Sequence, residues 1–250
     1  MSMSIAENLE GVREQIAAAC RRANRAESEV ALMAVSKMHP PEAIVEAHAA
    51  GLRLFGENRV QEWQEKRTAV ASLFDVARSA SPSAKDSAKV HLIGPLQSNK
   101  TTRAAELFDA VDSVDSLKIA ARLDAAAREL GRKLPILIEV KLSHEESKHG
   151  IAPAGLPALL TALASLEWLI PSGLMTVPPW SDDPETARPY FGELRRLRDA
   201  SLAACATLTQ LSIGMSNDFA VAIDEGSTCV RIGTALFGKR QYPAGATPSE

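Results

Sequence analysis

The sequence predicts an α/β protein built as a single (β/α)8 TIM-type barrel with an extra N-terminal helix. Three observations carry this. Eight short apolar runs are spread along the chain, most of them followed by a helical stretch. The runs are continuously apolar rather than alternating, as expected for strands buried on both faces of a parallel sheet. They occupy about 220 residues, a normal length for one barrel. An open doubly wound sheet is the alternative, but no GxGxxG follows the first run.

The elements follow in order. Ser4 and Glu7 form a capping box, and Ile5, Leu9, Val12, Ile16 and Cys20 recur every three or four residues as an amphipathic stripe. A helix placed before any strand can plug or flank a barrel. Val30 to Ser36 (VALMAVS) is the first strand. Pro40-Pro41 starts a helix that ends at Gly51. Arg53 to Phe55 is a short second strand, with a helix from about Asn58. Val90 to Ile93 is the third and Ala110 to Val114 the fourth, followed by a helix over Ser116 to Leu130 that Gly131 stops. Leu134 to Val140 (LPILIEV) is a β-branched fifth. Trp168 to Leu174, broken by Pro171, is the sixth; Leu208 to Ile213 and Cys229 to Ile232 are the last two. Ala77 to Lys89, rich in Ser, Ala and Lys, reads as a mobile surface loop. Pro243 to Glu250 reads as a flexible tail, so the barrel domain is expected over residues 1–242.

Composition excludes several functions. Basic and acidic residues nearly balance at a net charge of −3, and three Trp and two Tyr offer little base stacking, so no nucleic-acid partner is expected. No run of about 18 apolar residues exists, so no membrane span is expected. The start, MSMSIAENLE, lacks an apolar h-region, which points to a cytoplasmic protein. Cys20, Cys205 and Cys229 are odd in number and form no CxxC. They read as small apolar core residues, the first two on helical stretches, rather than disulfides or metal ligands.

In such a barrel the chemistry sits at the C-terminal ends of the strands. Lys37 ends the first run. Partial desolvation there would lower its pKa and free the amine to form an imine with an aldehyde; a snorkelling lysine is the plainer reading. Gly214-Met215-Ser216-Asn217-Asp218 follows the seventh strand and opens a helix running to about Glu225. With Gly233-Thr234 after the eighth, it could hold a phosphate; alternatively, Ser216 or Asn217 caps its own helix. Arg231, inside the last strand, needs a partner, either an internal salt bridge or a bound group.

The segments AVSKMHPPEAI (34–44), FGENRVQE (55–62), HLIGPLQSNK (91–100), SKHGI (147–151), GLMTV (173–177) and LSIGMSNDFAVAIDEGSTCVRIGTALFG (211–238) together resemble the pyridoxal phosphate homeostasis protein family. That family is similar to the barrel domain of alanine racemase, so an alanine-racemase N-terminal-domain-like fold is implied. By this resemblance pyridoxal 5′-phosphate (PLP) is the cofactor and Lys37 its Schiff-base lysine. Ser216, Gly233 and Thr234 match phosphate-binding positions, Arg231 the partner of the pyridine nitrogen, and Asn58 a residue at the mouth. Pro41 stands where the racemase has a phosphate-contacting tyrosine. Lys100 reads as a surface lysine in preference to a second PLP site.

The resemblance implies storage and delivery of PLP, without robust catalysis, by an expected monomer whose protein partners are PLP-requiring apoenzymes. A PLP-dependent amino-acid racemase of low activity is the alternative. A two-base racemase needs a second proton-transfer group, and neither Tyr190, in a helical stretch, nor Tyr242, in the tail, is expected to supply one. A barrel binding some other phosphorylated metabolite, without a covalent link, is a third possibility.

Overall fold

A computed structural model describes residues 4–80, 88–143, 145 and 148–238. Eight parallel strands close into one barrel. They are β1 Ala31–Val35, β2 Leu54–Glu57, β3 Lys89–Leu92, β4 Ala110–Val114, β5 Leu134–Glu139, β6 Leu169–Met175, β7 Gln210–Ser212 and β8 Cys229–Ile232. Neighbours pair in sequence order, and β1 also pairs with β8 (Ala31 with Cys229 through Ala34 with Ile232). Closure excludes the open sheet. Pro171, which has no N–H for the ladder, sits where the β5–β6 register shifts: Ile136 faces Pro171, but Leu137 faces Gly173. The strand continues through the irregularity to Met175.

The helices are α1 Ile5–Arg22, α2 Pro41–Ala49, α3 Val60–Ala80, α4 Thr101–Leu107, α5 Leu117–Glu129, α6 Leu156–Leu163, α7 Arg188–Ser201, α8 Phe219–Asp224 and α9 Thr234–Phe237. The capping box at Ser4 and Glu7 forms as expected. Helix α1 flanks the barrel, packed against α2, α8 and α9, and Asn8 Nδ2 donates to the Leu236 carbonyl at 2.9 Å. Helix α3 reaches Ala80 and β3 opens at Lys89, so the ends of the expected 77–89 loop are regular structure. Residues 81–87 and the expected tail lie outside the described residues. The four to eight residues of α4, α6 and α9 are too few to show a helical period in sequence. Cys205 lies in the turns after α7 rather than on a helix; Cys20 and Cys229 are buried.

Strand alternation separates two interiors. Phe55, Leu92, Ile136, Ile138, Leu174, Leu211, Val230 and Ile232 pack outward against helix residues such as Leu9, Ile44, Leu123 and Phe191. Each such burial contributes roughly 1.5–3 kcal/mol. Met33, Leu137, Met175, Asp112, Glu139, Ser212 and Arg231 are buried but stand apart from that core, toward the barrel axis. The axis therefore carries charge where a purely structural barrel would carry branched apolar layers.

Candidate functional site

Because every strand runs the same way, all C-terminal ends form one rim. Lys37 lies two residues beyond β1, Asn58 directly follows β2, Ser216 lies in the loop after β7, and Gly233 and Thr234 follow β8. Strands β7, β8, β1 and β2 are consecutive neighbours around the closure. The six residues singled out in the sequence, Arg231 among them, thus share one sector of the barrel. Lys37, Asn58, Ser216 and Gly233 are half-buried and Thr234 is exposed, so the rim is open.

The β7–β8 side is held by a tight loop. Gly214 has φ +95°, and a Cβ there would lie 2.6 Å from the Ala222 Cβ and 2.9 Å from the Phe219 Cα, so only glycine fits. Its carbonyl accepts the Arg231 N–H at 2.8 Å. Asp218 Oδ1 accepts the Met215 N–H at 2.6 Å. Ser216 Oγ accepts the Ala235 N–H at 3.4 Å, joining this loop to the first turn of α9. Asn217 Nδ2 donates to the Ser181 carbonyl at 2.9 Å and braces the loop after β6. Neither Ser216 nor Asn217 caps α8, whose N-cap is Asp218. The rings of His39 and Phe237, 4.8 Å apart between centroids, tie the turn after β1 to α9.

Arg231 is buried, at 4% exposure. Nη1 donates to the Ser212 carbonyl (2.5 Å) and Oγ (2.8 Å), and Nη2 to the Thr176 carbonyl (2.9 Å). Its direct partners among the described residues are neutral oxygens, so the internal salt bridge considered from sequence is not what holds it. Burial pulls the guanidinium below its ordinary value, and Asp112, Glu139 and Asp218 oppose this through space. Glu139, at the end of β5, went unnoticed in the sequence. Burial pushes its carboxyl up to about 7; Arg231 and Lys148 oppose the shift and Asp115 adds to it. The only signal was an acid at the end of the apolar run LPILIEV. Lys100 is half-buried at the N-cap of α4.

The opposite mouth holds a cavity of about 660 Å³, lined by strand beginnings such as Ala31, Lys89, Gln210 and Cys229. There His91 Nδ1 lies 3.1 Å from Asp112 Oδ1, and burial pushes the Cys229 thiol up to about 12. None of the six candidate residues lines it, and this face of a barrel ordinarily serves stability. Among the described residues no cluster of three metal-ligating side chains occurs.

The donor set at the rim (an amine, a hydroxyl with glycine-flanked backbone, and a buried cation) fits an aldehyde that also carries a phosphate and a ring nitrogen. Comparison with known proteins gives the family. Residues 8–241 match the alanine racemase N-terminal domain family. A pyridoxal phosphate homeostasis protein of Pseudomonas aeruginosa is 44% identical, over 98% of this chain and 99% of its own. The chain belongs to the pyridoxal phosphate homeostasis protein family. PipY of Synechococcus elongatus PCC7942, solved with PLP bound, has 40% identity and a TM-score of 0.80, covering 94% of this chain and all (100%) of that one. An alanine racemase of Clostridium difficile 630 shares the fold alone: 15% identity and a TM-score of 0.66, over 93% of this chain and 60% of its own. The alanine-racemase-like barrel expected for this family is therefore observed.

Proposed function

We propose that the chain binds PLP as a Schiff base with Lys37 and holds it for delivery to PLP-requiring apoenzymes of the cytoplasm, without robust catalysis of its own. The observation that carries this is the gathering of Lys37, Asn58, Ser216, Arg231, Gly233 and Thr234 onto four adjacent strand ends. PLP supplies an aldehyde for an amine to capture and a ring that can accept electrons. Ser216 and the backbone at Gly233 and Thr234 would hold the phosphate, with Asn58 at the mouth.

Arg231 argues against deep carbanion chemistry. As partner to the pyridine nitrogen, a permanent cation keeps that nitrogen unprotonated and the ring a poor electron sink. Tyr190 lies on α7, in the outer layer, so it does not stand at the rim as a second proton-transfer group. The open rim suits a cofactor that must leave.

The test is the visible absorption of the purified protein with PLP, before and after borohydride, with peptide mapping of the reduced adduct. A band lost on reduction, with the adduct on Lys37, supports the proposal. No band leaves only a barrel for some other phosphorylated ligand. Racemisation of L-alanine near an ordinary enzymatic rate, about 10 per second, would make the protein an enzyme instead.

A further inference from the structure

The turn bearing Lys37 is gripped from behind by charges that cofactor binding does not itself require. Alternation along β1 turns Ser36 away from the barrel axis, under the helices, where it is fully buried. Ser36 Oγ donates to Glu57 Oε1 at 2.7 Å. The Ser36 carbonyl accepts Lys66 Nζ at 3.0 Å. The same ammonium lies 3.2 Å from Glu57 Oε1 and 2.6 Å from Glu62 Oε1. Glu62 Oε1 also accepts the Met38 backbone N–H at 2.5 Å. The residues on either side of Lys37 are therefore both tied to one ion cluster from β2 and α3.

The arrangement is costly. Glu57 is wholly buried, with 0% exposure. Met38 sits at φ +63°, a left-handed conformation that costs a non-glycine residue about 1–2 kcal/mol. Buried ion clusters contribute little net stability compared with apolar residues of the same volume. Strain and buried charge held at one functional turn point to a role in geometry.

We propose that Glu57, Glu62 and Lys66 are positioning residues, a clamp on the backbone at Ser36 and Met38 that presents the Lys37 amine in one orientation and so sets how fast it captures and releases an aldehyde. None of the three is assigned a contact with the cofactor, and the clamp rests on the function proposed above.

The experiment compares Glu62→Ala, Glu62→Gln and the double variant Glu57→Gln/Lys66→Met with the wild-type chain. Stopped-flow absorbance follows PLP capture and release across pH, and circular dichroism checks the fold. Glu62→Ala is expected to slow capture roughly tenfold, the worth of one charged hydrogen bond, and to displace the midpoint of its pH profile. Glu62→Gln retains an acceptor for Met38 and should recover most of the rate. The double variant removes both buried charges together and should slow capture at least as much. Should it not fold, Glu62→Ala decides, because its carboxylate is partly exposed, at 21%. Rates and pH profile within twofold of wild type in every folded variant, with the wild-type adduct on Lys37, overturn the clamp. An adduct on another lysine in the wild type overturns the cofactor site itself.

Discussion

Lys37 and Glu139 show how far a residue's surroundings decide its chemistry. Lys37 stands out in the sequence because an apolar strand ends in a lysine, and the flanking motif resembles that of a known family. Replacing it with alanine should abolish the reducible PLP adduct while leaving a folded barrel, as mass spectrometry and circular dichroism would show. A surviving adduct would point to another lysine. Glu139 was not legible, because its raised pKa comes first from burial and then from Arg231, Asp115 and Lys148, contributed by other parts of the chain. Its folded-state value lies above the ordinary 4.5, so the folded protein keeps a proton that the unfolded chain releases. Stability therefore falls as pH rises from about 4.5 to about 7 and stays reduced above that. Glu139→Gln should remove this slope and gain up to about 3 kcal/mol at alkaline pH. Unfolding measured at both ends of the window checks this. A slope that survives in the variant would belong to another group.

At the level of elements, long helices were the easiest to read. The stripe in α1 and the stop at Gly131 after α5 follow from local periodicity and backbone freedom. Short helices were harder, because tertiary packing rather than local pattern supports them. The loop after β7 is the element on which the proposed phosphate site depends. Gly214→Ala would place a methyl group against Ala222 and Phe219 at a positive φ. The expected cost is about 2–4 kcal/mol, with weaker PLP retention. An unchanged denaturation midpoint would mean that the loop shifts freely, and the phosphate site would lose its rigid base.

Across the whole molecule, Arg231 links β8 to β7 and to the residue after β6. Arg231→Ala should cost about 2–4 kcal/mol, from the cavity and from acceptors left unpaired. It should also speed the loss of PLP on dialysis and raise the Glu139 pKa further, since Arg231 now holds that value down. Chemical denaturation and cofactor retention measure the first two effects separately, and the pH dependence of unfolding measures the third. Unchanged retention would remove Arg231 from the cofactor site.

The sequence by itself determined the class of fold and the approximate place of each strand, because apolar periodicity and turn glycines are local, and its contiguous motifs nominated the six candidate residues through a family resemblance. Only the tertiary structure decided what lies beside what. Pairing of β1 with β8 brings residues 37 and 231–234 to one sector. The Glu57, Glu62 and Lys66 cluster was invisible in the sequence although Glu57 and Glu62 stand inside the FGENRVQE motif. A surface helix also carries Glu and Lys four residues apart, and only the closing of α3 over the Ser36 turn makes these partners of the backbone on either side of Lys37.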